Sequence, residues 1–465
     1  GAGPTGENVA DRVVRAGLTA VIVESELVGG ECSYWACMPS KALLRPGTAL
    51  ADAKAVAGAR EAVTGGLDAT AVLARRDSFT SGWRDDGQVK WLEGAGIDLV
   101  RGRGRLDGER RVSVELPGGG STVLTARHAV VLATGSDAVL PPIDGLADIG
   151  AWTSRDATSA TDVPERLAII GGGVVASEMA AAWSSLGAQV TMLVRGDGLL
   201  PSLEPFAGEL VVEELRAGGV TVRTGVQVTS ASRDGGAGPV TAVLSDGSTV
   251  ECEELLVATG RRPRTTDLGL EHVGLKPGGW LEVDDTCRVT GVEAGWLYAA
   301  GDVNHRALLT HMGKYQARAC GSAIAARAAG QRVTPEPWAV TSATADHSAV
   351  PQVVFTRPEV AAVGLTEAAA QAAGLSVRAV SYSIGSVAGA SLYADNYQGT
   401  AKLVVDESRR VVVGCTLAGP AVGELLHAAT VAIVGAVPLD RLWHAVPSYP
   451  AISEIWLRLL ESYGL

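Results

Sequence analysis

No run of lysine or arginine long enough to form a basic patch occurs in this chain of 465 residues, and its formal net charge is −12. Both features argue against a nucleic-acid partner, whose phosphates need clustered cations. Cysteine is scarce: there are six, and Cys252, Cys287, Cys320 and Cys415 are scattered, which excludes the dense disulfide framework of small secreted domains. No apolar run reaches the ~20 residues of a membrane span. The nearest candidate, around residues 428–439, carries Gly435 and Pro438 and reads as a buried helix. With no signal peptide in these residues, a reducing cytosol is the expected compartment. Aromatic residues make up only 5% of the chain against 58 glycines. Such a composition suits an α/β protein with many tight strand–helix turns, and the length suggests about three domains.

What the chain does have is concentrated in Gly29-Gly30-Glu31-Cys32-Ser33-Tyr34-Trp35-Ala36-Cys37-Met38-Pro39-Ser40-Lys41. Two cysteines five positions apart, after paired glycines and before a helix start, point to a redox disulfide. The plain alternative is a pair of buried structural thiols. A bridge needs Cα atoms within about 7 Å, whereas five residues of regular helix climb about 7.5 Å. The first helical turn is therefore expected to be distorted, and a strained bridge is the more easily reduced. A helix starting after Pro39 would turn its N-terminal dipole toward Cys37 and favour a thiolate there.

Two glycine fingerprints flank this segment in the order of a nucleotide domain interrupted by another. In Gly1-Ala2-Gly3-Pro4-Thr5-Gly6, Gly1 permits the tight turn, Gly3 lets backbone approach a pyrophosphate and Gly6 allows close helix–strand packing. A helix to about residue 16 and a strand over residues 18–24 should follow, ending in Glu24, a carboxylate placed to accept ribose hydroxyls. Because Gly1 already opens the fingerprint, a few apolar residues are expected upstream of it. The second unit runs from Leu167 through Gly171, Gly173 and Ala176, then a helix to about residue 186 and a strand over residues 189–194. Here the strand is followed by Arg195 rather than a carboxylate, which suits a 2′-phosphate, so NADPH is expected over NADH. Pro201 occupies the place where a second basic residue would strengthen that reading.

GGxCxxxxCxPSK, both fingerprints, the turns Ala133-Thr134-Gly135 and Ala258-Thr259-Gly260, and the pair Gly301-Asp302 occur in one order along almost the whole chain. Together they resemble the pyridine nucleotide–disulfide oxidoreductases, an FAD-containing family that includes dihydrolipoamide dehydrogenase, glutathione reductase and mercuric reductase. The resemblance implies an α/β fold of two Rossmann-like domains, for FAD and NAD(P), with a C-terminal α+β dimerisation domain. The implied bounds are 1–155 with 280–335 for FAD, 156–279 for NAD(P)H, and 345–465 for a homodimer interface that lends residues to the partner's site. Residues 332–350 read as a linker. Implied cofactor contacts fall on Gly1, Gly3, Gly6, Glu24, Gly30, Lys41, Gly104, Thr134, Gly135, Asp302, Leu309 and His311, and on Gly171, Gly173, Ala176, Arg195 and Gly260. Asp302 would hold the ribityl chain. No metal site is expected.

By the same resemblance, hydride passes from NADPH to the flavin and on to Cys32–Cys37. Cys37 would face the flavin as a charge-transfer thiolate, and Cys32 would attack the acceptor. Lys41 would steady negative charge on the reduced ring, paired with Glu178. The C-terminal site departs from the family pattern. Disulfide-reducing relatives carry His-Pro-Thr-x-x-Glu, but the matching run here is Tyr449-Pro450-Ala451-Ile452-Ser453-Glu454. A phenol with a pKa near 10 cannot form the cation that stabilises a thiolate, and loss of such a base slows proton transfer by about 10²–10⁴-fold. Mercuric reductase is similar in its tyrosine, but it needs a C-terminal cysteine pair that residues 459–465 lack. Three functions stay open: reduction of a disulfide or other thiol-reactive small molecule through Cys32, direct flavin-to-quinone transfer, and a redox sensor that keeps FAD for folding alone. Tyr34 and Trp35 either line the thiol site or pack.

Overall fold

The computed structural model describes residues 1–236 and 238–465. They form two compact units, each built from three stretches of chain. One comprises Gly1–Pro39, Asp77–Ala138 and Gly260–His347, the other Ser40–Arg76, Val139–Thr259 and Ser348–Leu465.

In the first unit the helix Pro4–Arg15 opens on a proline at its first position, where the missing N–H would have been unpaired in any case. The strand that follows is Val21–Glu24, shorter at its start than expected. It pairs in parallel with Asp98–Arg101, and Val130–Leu132 pairs in parallel with Leu297–Ala299. Leu297, Tyr298 and Ala299 are all buried, as in strands covered on both faces. Arg103–Leu106, Arg111–Glu115 and Ser121–Thr125 form an antiparallel meander. Helices Pro4–Arg15 and Thr310–Ala328 approach closely because glycines on the second leave room. A Cβ on Gly313 would overlap the Thr5 hydroxyl, and one on Gly321 would lie 2.7 Å from the Arg12 Cβ. Val9, Val13, Ala317, Cys320 and Ile324 fill the space between them.

The second unit holds a parallel sheet in the order Thr221–Thr224, Gln189–Val194, Arg166–Ile170, Glu254–Val257. Leu167, Ala168 and Ile169 are fully buried, and the helix Val174–Ser185 connects the middle strands. Toward the C-terminus a five-stranded antiparallel sheet runs in the order Gln352–Val354, Glu359–Gly364, Val411–Gly419, Thr400–Asp406, Val377–Ser383. Every residue of Val411–Gly419 is buried. The apolar segment expected to be a buried helix corrects one expectation. It is the helix Leu426–Val434, with Leu426, Ala429 and Ala432 against the core but Val431 54% exposed. Its outward face stays exposed in the single chain although it carries Val431 and Val434.

Candidate active site

The helix Gly30–Tyr34 stops at Trp35, whose φ of −134° and ψ of −3° leave the helical region. A new helix, Cys37–Lys54, opens at Cys37 itself. The expected distortion is thus a break between two helices, and it brings the two thiols near enough for Cys37 to raise the Cys32 thiol. The second helix starts earlier than expected because Pro39 lies in its first turn, where no N–H partner is needed. Among the described residues no disulfide is formed. Thr310, at the start of the helix Thr310–Ala328, places its hydroxyl 3.2 Å from the Cys37 sulfur. The Cys32 thiol is pushed well above its ordinary value, first by its hydrogen bond to Cys37 and then by burial, with Thr310 and Lys314 pulling the other way.

Tyr34 packs rather than lining the thiols. It is buried, its hydroxyl donates to the Val28 carbonyl at 2.9 Å, and its own carbonyl accepts from the Trp83 indole at 3.1 Å. Burial pushes its phenol up to about 12. Its ring meets Trp35 edge-on at 5.7 Å, so the two aromatics brace the break between the helices.

The residues expected to hold the flavin dinucleotide gather in the same unit. A Cβ on Gly6 would overlap the Gly1 carbonyl oxygen, one on Gly1 would lie 2.5 Å from the Ala133 oxygen, and one on Gly30 would lie 2.7 Å from Gly3 Cα. The nearest atom to a Cβ on Gly3 is 4.0 Å away, leaving backbone open beside the N-terminus of Pro4–Arg15, a geometry that receives phosphate. Glu24 accepts the Ala2 N–H at 2.6 Å and the Glu26 N–H at 2.7 Å. Asp302 accepts the Ser136 hydroxyl at 2.6 Å, and Ser136 in turn accepts from Arg261 at 2.6 Å. The Thr134 hydroxyl oxygen is buried with no hydrogen-bond partner among the described residues. Gly135 and Gly260 have φ of 72° and 152°. Gly104 lies in the strand Arg103–Leu106, with its Cβ position 3.2 Å from Val23 Cγ1. Leu309 caps the helix Thr310–Ala328, and His311 is exposed in its first turn. The glycine cradle, the orphaned Thr134 oxygen and the carboxylates of Glu24 and Asp302 fit FAD: phosphate on backbone N–H groups, hydroxyls on carboxylates.

The second unit carries the other half of the expected set. The Lys41 ammonium donates to Glu178 at 2.6 Å, and the other Glu178 oxygen accepts the Phe355 N–H at 3.0 Å. The Lys41 side chain is 35% exposed against 4% for Glu178, and the ammonium lies 5.0 Å from the Phe355 ring centre. A carboxylate so deeply buried must be held by both partners. Gly171 has φ of 135°, and a Cβ there would overlap the Ala258 oxygen. Gly173 faces open space at the N-cap of Val174–Ser185, Ala176 is buried beneath, and Arg195 is exposed beyond the strand. Tyr449 is 76% exposed and Glu454 is buried. One Glu454 oxygen accepts from Arg458 at 2.6 Å and the other has no partner among the described residues, so no bond joins it to Tyr449. Sequence reasoning missed Thr310, Ser136, Arg261 and Phe355. Only Thr310 had a signal, its place beside Leu309.

Residues 1–330 match the family model described as pyridine nucleotide-disulphide oxidoreductase, and residues 350–459 match the dimerisation domain of that family. The chain is 31% identical to the dihydrolipoyl dehydrogenase of Haloferax volcanii, over 99% of this chain and 94% of that one. It is 33% identical to the mercuric reductase of Shigella flexneri, over 95% and 76%. Among solved structures, LpdA of Mycobacterium tuberculosis superposes with a TM-score of 0.85 at 25% identity, covering 100% of this chain and 98% of that one. The flavoprotein disulfide reductase RclA of Escherichia coli shares the fold, with a TM-score of 0.83 at 22% identity over 99% and 98%. The chain belongs to the pyridine nucleotide–disulfide oxidoreductases, FAD-dependent enzymes that use NAD(P)H. Its dimerisation domain supports a homodimer. Among the described residues no helix is long and apolar enough to cross a membrane.

Proposed function

We propose that this protein is an NADPH-dependent reductase that delivers electrons through Cys32 and Cys37 to a disulfide or another thiol-reactive small molecule. The observation that carries the proposal is the contact of two thiols across a helix break, with Thr310 beside Cys37. FAD, when bound, relays two electrons between a nicotinamide and a disulfide. Cys37, at the first position of its helix, is the sulfur that the dipole favours as thiolate. Cys32 keeps the proton of the pair, so it attacks an acceptor once that proton is taken. Its sulfur bonds to one sulfur of the acceptor disulfide, and the other leaves as a thiolate that takes up a proton. Cys37 then attacks Cys32, the mixed disulfide breaks, the second product thiol departs and the bridge is restored. Lys41, oriented by Glu178, supplies a cation one turn along the helix from Cys37. Arg195 suits the 2′-phosphate of NADPH. The domain bounds set out above and the roles of the cofactor residues are part of this proposal.

A second reading, direct transfer from flavin to a quinone, is favoured by the C-terminal run. Tyr449 is exposed, one Glu454 oxygen has no partner among the described residues, and no imidazole is present in that run to take the Cys32 proton. One experiment separates the two. In the FAD-loaded Cys32→Ser variant, anaerobic NADPH should still bleach the flavin, while turnover with a small disulfide falls by at least about 10³-fold. Undiminished turnover of the physiological acceptor in that variant overturns the thiol route, and the same result with a quinone establishes the alternative.

A further inference from the structure

Two cysteines that take no part in this chemistry meet in the core of the first unit. Cys287 and Cys320 are each 0% exposed and pack in one core cluster, near enough for Cys320 to raise the Cys287 thiol. Cys320 lies within the helix Thr310–Ala328. The Cys287 sulfur is also 3.8 Å from the carbonyl of Gln316, one turn earlier in that helix. The opposite side of the contact is pinned. Asp284 accepts the N–H groups of Thr286 at 2.9 Å and Arg288 at 3.1 Å through its side chain, and that of Cys287 at 2.9 Å through its carbonyl. Cys287 itself sits at φ of 62°, a region that most side chains avoid. Thus a fixed turn places one sulfur against the helix that carries the other, one turn before it. Cys32 and Cys37 are likewise near neighbours, each thiol pair marked by one member raised by the other, and differ in being partly exposed.

We propose that Cys287 and Cys320 are a second redox pair, a buried dithiol that a small peroxide converts to a disulfide between the Asp284 turn and the helix Thr310–Ala328. One sulfur, as thiolate, attacks the peroxide: an S–O bond forms, the O–O bond breaks, and the leaving hydroxide becomes water. The other sulfur attacks the sulfenic sulfur, the S–S bond forms, and the S–O bond breaks to release a second water. Two thiols lose two electrons and two protons, and hydrogen peroxide becomes two waters. The bridge would tie down the helix that carries Thr310 beside Cys37 and Gln316, whose side chain accepts the Gly301 N–H at 2.8 Å. Burial, together with a Cys287 thiol raised by its contact with Cys320, makes this pair the slower of the two to oxidise.

The test uses the FAD-loaded holoprotein carrying Cys32→Ser and Cys37→Ser, exposed to hydrogen peroxide at neutral pH, alkylated under denaturing conditions, digested and mass-analysed. The expected product is a Cys287–Cys320 linked peptide, lighter by two hydrogens than its parts and abolished by reductant. It should form more than about 10-fold more slowly than the Cys32–Cys37 bridge of the unaltered chain. Full alkylation of both residues at all times overturns the proposal, as does sulfinic acid without linkage, or a link that forms only in urea. In the Cys320→Ala variant the linked peptide must vanish, and pairing of Cys287 with Cys252 or Cys415 in its place would likewise overturn it.

Discussion

At Gly1–Gly6 the loop closes on itself, with no room for a Cβ on Gly6, and the following strand ends in Glu24, whose two oxygens hold the N–H groups of Ala2 and Glu26. At Gly171–Ala176 the turn is equally tight against the Ala258 carbonyl, but the strand runs into exposed Arg195. One residue further along each helix the contrast repeats. Glu7 is a carboxyl with one buried oxygen that has no partner among the described residues, whereas Ser177 donates to the Gly173 carbonyl at 3.0 Å. The glycines make a generic receptacle for a dinucleotide phosphate. In the proposed function the strand end selects the nucleotide, and the residue after the last small position of the fingerprint sets the local response to pH.

Breaking the receptacle should have the largest effect. Gly6→Val places side-chain atoms on the Gly1 carbonyl, so FAD affinity should fall by more than about 100-fold, and the protein should purify without flavin absorbance. Reversing the sign at the other strand end comes next. Arg195→Glu should lower the NADPH-over-NADH preference in kcat/KM by about 10- to 100-fold, the worth of a charge-assisted hydrogen bond. An unchanged preference would remove Arg195 from the nucleotide site. Glu24→Gln keeps one acceptor oxygen but loses the other, and FAD affinity, measured by flavin fluorescence, should drop by about 3- to 10-fold.

A further effect, read in stability rather than in affinity, concerns pH. Burial raises the Glu7 carboxyl from its ordinary value to about 7, with Lys314 opposing. Since the folded value lies above the unfolded one, its contribution to stability is complete below about pH 4.5 and is lost as pH rises through 7. Urea denaturation at a series of pH values should show Glu7→Gln gaining about 1–3 kcal/mol on the unaltered protein between pH 5 and 8. No change in that difference across the range would show that Glu7 is solvated.

Local pattern made much of this legible. The strand Gln189–Val194 has the bounds expected from its apolar run, and the pair Lys41–Glu178, 137 positions apart, forms as the family resemblance implied. The helix start at Cys37 was misplaced because Pro39 reads as a boundary, although a proline in a first turn costs nothing. Phe355, which donates to Glu178 and lies beside Lys41, left no trace. Its contribution to Glu178 is a backbone N–H, and any residue but proline supplies one.

What the sequence determined by itself is the chemistry on offer: two tight glycine turns, a carboxylate and an arginine after their strands, two cysteines at a helix start, and a tyrosine where a base is usual. These properties rest on residue type and short spacing, which survive without coordinates. Only the tertiary structure decided which groups meet: Thr310 with Cys37 across 273 positions, Arg261 with Ser136 and Asp302, and Cys287 with Cys320. Such contacts arise from the packing of helices and turns far apart along the chain, where a change of a few ångströms makes or breaks a hydrogen bond.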